Sequence, residues 1–463
     1  MKTRPQVAAD PQAYPQKPIL QEALRLSWPA TLALLLHSLY RVSDQYWIQD
    51  LGPPAQAALG LSSFMLIFNF AFISLFYSGC LARVARAVGS GNRSALERAY
   101  RTALSFGGLW FLLLAAVGYA SSDFWVKALG AQGEVGDLAS TYLAWIYLGL
   151  PAIGFKPVLD GVFIGLGNTK APMYLSGLSV GLNFLLNPIL IYGWGPIPAL
   201  GVAGAAIATI ISRALSCGLA LILLARLHGL RWRGEVSPTR EEAGQQLKIG
   251  LPMAISTAGY SGVFILVLKT TLEPFGETVQ AGLGVAFNGV EALSYCGLMG
   301  PAVAVAGMVG RELGAGRPQR AKQAVHACGI LSGIVALCFS LMFLAIPEVL
   351  TSFYTSVAEV QTEAVRYLVI VAWSQLAVSA YSVMEQALAG AGKTRAVSMI
   401  SLGGNALRIP LCWALAHPLG WGPAGAWWAM NVSNLMKFTA IAAVLRSGRW
   451  LQESPPQARS PHD

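Results

Sequence analysis

Apolar runs of span length recur along nearly the whole chain, each broken by Gly, Pro and a few charges. About 18 or more such residues in a helix cross the hydrocarbon core of a bilayer, so the pattern predicts an all-α polytopic membrane protein. Twelve transmembrane helices are expected, starting near Leu24, Pro54, Ala99, Leu138, Pro172, Val202, Ile249, Ala281, Ala324, Ala364, Val397 and Ala424.

Assigning alternate connections to opposite sides of the membrane separates the basic residues sharply. Both tails and five loops hold 24 of the 32 Lys and Arg, the other side holds Lys127 and Lys269, and six lie within spans: Arg41, Lys156, Arg213, Arg366, Arg408 and Lys437. The positive-inside rule then places both termini in the cytoplasm. The expected organisation is a cytoplasmic tail over 1–23, a six-helix lobe over 24–227, a cytoplasmic linker over 228–248, a second six-helix lobe over 249–445 and a tail over 446–463. A chain of this kind sits as a multi-pass protein in the plasma membrane, the inner membrane of a bacterium.

Composition agrees. The 463 residues are 55% hydrophobic and 12% charged, against about 25% charged in soluble domains. The formal charge of +10 is accounted for by the loop bias, so nucleic acid is not an expected partner. Cys80, Cys217, Cys296, Cys328, Cys338 and Cys412 lack the spacing of a disulfide or zinc framework and read as packing residues. The first twenty residues lack an apolar segment followed by a cleavage site, so no removable signal peptide is expected.

The stretch "LAGAGKTRA" (Leu388 to Ala396) ends like a phosphate-binding loop, but Ala387 stands where the first glycine of that motif belongs, and the preceding residues form a span rather than a strand. No nucleotide is expected there. An internal repeat explains the stretch instead. Shifted by 225 residues, Arg86 to Ala99 falls on Arg311 to Ala324, and "GLGNTK" (Gly165 to Lys170) falls on "GAGKTR" (Gly390 to Arg395). At shifts of 221 to 223, Pro29 meets Pro252, "NFLLNP" meets "NALRIP" and "GVAGAA" meets "GPAGAW". The chain therefore reads as two homologous halves, parallel because six spans return to the same side. "GAGKT" is then a tight turn between two helices, with Asp160 and Glu385 as equivalent acids one turn before each such turn.

Candidate chemistry lies inside the spans. An intramembrane carboxylate is costly unless paired, hydrated or protonated, which makes Asp44 a candidate for ion exchange; a static pair with Arg41, one turn earlier, is the alternative. Asn183 and Asn187, four apart, share one helix face and can ligate Na⁺ or bond a carboxylate, or simply hold helices together. Glu291 and Arg408 lie about eleven residues into their spans and are expected to form a buried ion pair. Tyr40, Phe68, Phe70, Trp145 and Tyr147, with Arg41, are candidates for lining a substrate cavity, aromatic faces attracting organic cations. No catalytic residue is expected: His37, His326 and His417 are isolated, without metal spacing or a nucleophile elbow.

The succession "LDGVFIGLGNTKAPMYLSGLSVGLNFLLNPILIYG" and "PALGVAGAAIATIISR", with "VSDQYWIQDLG" and the paired "GSGN…A" and "GAGR…A" loops, resembles the multidrug and toxic compound extrusion (MATE) family from about Leu24 to Leu445. "AFNGVEALSYCGLMGPA" is more similar to its DNA-damage-inducible F-like branch. The norfloxacin exporters carry an acid in their seventh helix, and none stands in "PMAISTAGYSGVFILVLKTTL". The resemblance implies a secondary antiporter that exports cationic amphipathic small molecules in exchange for H⁺ or Na⁺ by alternating access. It implies no cofactor beyond the coupling ion, no nucleotide, a lipid bilayer as surroundings and a monomer. It also implies an ion-coupling site on Asp44 and Asn183, with Na⁺ the one metal candidate; the third position is Asn187 where the branch has an Asp, so one carboxylate is missing. A flippase for a lipid or lipid-linked precursor and, more remotely, an intramembrane enzyme are the competing readings.

Overall fold

The computed structural model describes residues 18–451 except 233 and 235, and leaves the side chains of 63, 64, 67 and 68 undescribed. Among the described residues the chain is helical throughout, without a strand; the sole β feature is an isolated bridge between Trp194 and Ile197. The helices are α1 (Ile19–Ile48), α2 (Pro53–Gly89), α3 (Arg93–Ala128), α4 (Gly133–Leu148), α5 (Leu150–Gly165), α6 (Lys170–Ile191), α7 (Val202–His228) and α8 (Arg240–Val267). They continue as α9 (Glu277–Leu283), α10 (Ala292–Gly314), α11 (Pro318–Ala345), α12 (Pro347–Ser352), α13 (Ala358–Val371), α14 (Gln375–Gly390), α15 (Thr394–Ala416) and α16 (Pro423–Arg446).

Nine helical segments among the described residues are long and apolar enough to cross a membrane, or ten if α4 and α5, bent by 54° at Gly149, count as one. Neither α1 nor α16 is among them. Their length suffices, at 30 and 24 residues, but α1 carries Glu22, Arg25, Arg41 and Asp44, and α16 carries Asn431, Asn434 and Lys437.

The chain divides into two compact units. The first comprises Trp28–Val84 and Asn92–Ala258; the second takes the described residues before Trp28, Ala85–Gly91 and those from Gly259 onward. In the first unit Ile48, Leu59, Tyr142, Ile146, Ile191 and Val202 pack as one apolar cluster. In the second, Val267, Leu272, Leu283, Phe343, Tyr367, Leu368 and Trp427 do the same.

Helices begin earlier than hydropathy alone predicts, because polar first turns are satisfied by specific partners. α8 starts at Arg240 rather than near Ile249: Thr239 Oγ1 accepts from the Glu242 backbone N–H (3.1 Å), Glu242 pairs with Arg83 (2.6 Å), and Gln246 Nε2 donates to the Ala99 carbonyl (2.8 Å). At the start of α3, Asn92 caps through Oδ1 to the Ala95 N–H (2.9 Å).

The repeat is written in the backbone. Between α5 and α6, Leu166, Gly167 and Asn168 donate to the carbonyls of Val162, Ile164 and Phe163; between α14 and α15, Ala391, Gly392 and Lys393 donate to Ala387, Ala389 and Leu388, each 225 residues on. Gly167 (φ 78°) and Gly392 (φ 73°) hold the left-handed conformation that this reversal needs. The loop that looked like a nucleotide cradle is a helix-to-helix turn.

A second repeat-related feature lies in the second unit. A Cβ on Gly89 would be driven into the Arg311 carbonyl, and a Cβ on Gly314 into the Arg86 carbonyl. Here the last turns of α2 and α10 cross at backbone contact. Nearby, Arg311 meets Glu22 at 3.1 Å with both side chains buried.

Candidate functional site

Asp44 lies on α1, Asn183 and Asn187 on one face of α6, and Thr209 on α7. The α6–α7 hairpin sets their register: the Leu200 and Gly201 N–H groups donate to the Leu190 and Ile191 carbonyls, so Asn183, eight residues before Ile191, stands level with Thr209, eight after Gly201. Both asparagines are fully buried and Asp44 is 5% exposed.

Asp44 Oδ1 accepts from Asn187 Nδ2 (2.9 Å) and Asn183 Nδ2 (3.4 Å), and Oδ2 accepts from Thr209 Oγ1 (3.4 Å). Asn183 Nδ2 also reaches Thr209 Oγ1 (3.1 Å), and Asn187 Nδ2 reaches Ser43 Oγ (3.1 Å). Every direct donor to the carboxylate is neutral. Arg41 is exposed on the α1 surface and forms no ion pair with Asp44, so the static pair expected as the alternative is absent. Beside the carboxylate, Asn187 Oδ1 is buried without a hydrogen-bond partner. One carboxylate, an unpartnered amide oxygen and a hydroxyl form an oxygen-only donor set of the kind hard cations take. No group of three or more His, Cys, Asp or Glu side chains gathers among the described residues.

Thr209 escaped the sequence reading. Its signal was available: at a shift of 221 its counterpart is Met430, so one half places a hydroxyl where the other places a thioether.

The expected ion pair between Glu291 and Arg408 does not form. Glu291 closes a π-helical stretch, Gly284–Glu291. Tyr367 Oη donates to Oε2 (2.6 Å) and Gln375 Nε2 to Oε1 (3.1 Å), so both oxygens are satisfied by neutral groups. Arg408, 6% exposed, instead donates to Asn434 Oδ1 (3.0 Å) and leaves Nε without a partner. A second buried cation, Lys437, donates to Asn405 Oδ1 (3.1 Å) and lies 4.9 Å from the Tyr381 ring.

The proposed cavity residues separate. Tyr40 is buried, hydrogen-bonded to Ser179 Oγ and 3.5 Å from Ser212 Oγ. Tyr147 is packed against Gly118. Phe70 and Trp145 are exposed, and Phe68 lies outside the described side chains. Asp160 accepts from Lys156 Nζ at 2.6 and 2.7 Å, whereas its repeat counterpart Glu385 accepts from Ser401 Oγ (3.4 Å).

Comparison with known proteins gives the family. The MatE family profile matches residues 29–189 and 252–414. A probable multidrug resistance protein NorM from Thermotoga maritima is 26% identical over 441 residues, 93% of each chain. An FAD transporter from Shewanella oneidensis is 26% identical over 313 residues, 66% of this chain and 68% of the other. In fold, the chain is similar to the solved structure of a MOP superfamily transporter from Pyrococcus furiosus, with TM-score 0.88 and 20% identity over 98% of this chain and 100% of that one. Two repeat-matched profile hits, relatives along nearly the full length and an all-helical fold shared with a solved transporter lead to one assignment: the chain belongs to the MATE family of membrane transporters.

Proposed function

We propose that this transporter is a secondary antiporter in a bacterial inner membrane, exporting amphipathic organic compounds, those with a cationic centre included, in exchange for H⁺ or Na⁺. The observation that carries the reading is Asp44: a carboxylate deep in the first unit, contacted only by neutral donors, with the unpartnered Asn187 oxygen beside it. A carboxylate without a cation of its own can take up either a proton or a metal ion. In this reading Asp44, Asn183, Asn187 and Thr209 hold the ion, and ion and substrate bind with opposed preference during alternating access, so that entry of one favours release of the other. Twelve spans follow if α1 and α16, polar for functional reasons, join the ten apolar ones, with both termini cytoplasmic by the basic bias.

The test is efflux of ethidium from proteoliposomes under an imposed pH or Na⁺ gradient, for wild type and Asp44→Asn. Gradient-driven efflux that falls at least tenfold in Asp44→Asn supports the reading, and the gradient that works names the ion. Equal efflux by both proteins overturns it.

A second reading, export or flipping of a molecule with a phosphate or carboxylate group, is favoured by one observation: Arg213 and Arg408 are buried, and among the described residues no carboxylate pairs with either.

A further inference from the structure

Arg213 sits twelve residues into α7, one turn beyond Thr209, and is 8% exposed. A guanidinium at this depth normally meets a carboxylate. No Asp or Glu forms an ion pair with it among the described residues. Its face lies 4.3 Å from the centre of the Tyr40 ring, Nη2 stands 3.3 Å from His37 Nδ1, and Nε has no partner.

Arginine donates and never accepts, so His37 Nδ1 must be the acceptor. That fixes the imidazole as neutral with its proton on Nε2, a second donor held in place by the first. His37 is exposed, and Arg41, one turn along the same face of α1, is exposed too. Two basic side chains of one unit thus meet, a guanidinium with an unused edge and a tautomer-locked imidazole, and a second guanidinium stands one turn along α1 at the rim. Planar guanidinium edges match carboxylate and phosphate oxygens in pairs.

We infer that His37, Arg41 and Arg213 form a subsite for the anionic group, carboxylate or phosphate, of an organic molecule. The inference rests on the transport reading above and adds an acidic group to the substrate's description. Tyr40 supplies the wall: its ring stacks under Arg213 while its hydroxyl, tied to Ser179 on α6, holds it in place. Four residues along α1 from Tyr40 stands Asp44, so the subsite and the ion site share α1, α6 and α7. Loading one therefore bears on the other.

The test uses the full chain in nanodiscs, titrated with carboxyfluorescein as an organic anion and with ethidium as an organic cation, both read by fluorescence anisotropy. Wild type is expected to bind carboxyfluorescein. Arg213→Gln should shift the ratio of the two affinities at least tenfold against the anion, Arg213→Lys should recover part of that shift, and Arg41→Gln, on the exposed rim, should shift it about threefold without burdening the fold. Displacement by benzoate identifies a soluble acid as the source of the group; displacement by dodecyl phosphate alone identifies a lipid-linked phosphate. Wild type that binds ethidium but not carboxyfluorescein, or an affinity ratio unmoved in both Arg213→Gln and Arg41→Gln, overturns the subsite. Gradient-driven ethidium efflux in the same preparation reads the antiport proposal separately, since its absence leaves the anisotropy result standing.

Discussion

At the scale of single residues, two of the interior carboxylates, Asp44 and Glu291, are held in the same manner by different means. Asp44 takes two amides and a hydroxyl; Glu291 takes a phenol and an amide. Removing one donor should therefore have a bounded effect. Thr209→Val, losing a long 3.4 Å contact, should weaken ion coupling by about 1 kcal/mol, roughly fivefold in the ion concentration for half-maximal efflux. Asn187→Asp, which puts a second carboxylate beside the first, should lower the half-maximal Na⁺ concentration about tenfold; an unchanged or raised value would remove Asn187 from the ion site. For Glu291, a double-mutant cycle of thermal stability with Tyr367→Phe should give a coupling of about 1.5–3 kcal/mol, and a cycle with Arg408→Leu less than about 0.5 kcal/mol, reflecting which group touches the carboxylate. Sequence reading identified the polar residues at depth and grouped Asp44 with Asn183 and Asn187, which the structure brings together, but it mispaired Glu291 with Arg408. Mid-span position placed Glu291 and Arg408 at similar heights, yet height alone cannot say that Asn434 faces the guanidinium. That no carboxylate pairs directly with Arg213 among the described residues was equally invisible, because direct pairing depends on three helices at once.

Among elements, hydropathy located almost every rod and placed most starts a few residues late, the start of α7 at Val202 being met. α8 and α11 start six to nine residues before the apolar run, because their first turns are polar and meet partners elsewhere in the fold. The same logic explains why α1 and α16 fail a purely apolar test: buried polar side chains such as Asp44 and Lys437 lower the hydropathy of the helix that carries them. What repeats, by contrast, was legible, since a 225-residue shift needs only identity of glycines, and the three-bond turn at Gly167 recurs bond for bond at Gly392. Close helix crossings give a prediction at this scale. Gly314→Ala should destabilise the protein by about 1–3 kcal/mol, because the new methyl meets a carbonyl rather than a yielding side chain. Gly333→Ala, with nothing within 4 Å, should be neutral or stabilising by up to about 1 kcal/mol. Thermal unfolding in detergent with the two changes equal in sign and size would refute the crossing.

For the molecule as a whole, the basic bias of the loops predicts sidedness. In a background without native cysteines, Lys393→Cys should react with an impermeant maleimide only from the cytoplasmic side and Gly130→Cys only from the opposite one; the reverse pattern would invert the orientation. The buried pair Glu22–Arg311 joins the first turns of α1 to α10, and Glu22→Ala, which takes the carboxylate from a buried guanidinium, should cost about 3–5 kcal/mol. The crossing at Gly89 and Gly314 carries a further consequence. Because Gly89 touches Arg311 and Gly314 touches Arg86, and each pair is the other displaced by 225 residues, the contact is self-complementary, as in a two-fold homodimer. One sequence motif serves as both knob and socket. A substitution at Gly314 in the single chain therefore alters one of the two contacts and leaves its counterpart at Gly89 as it was.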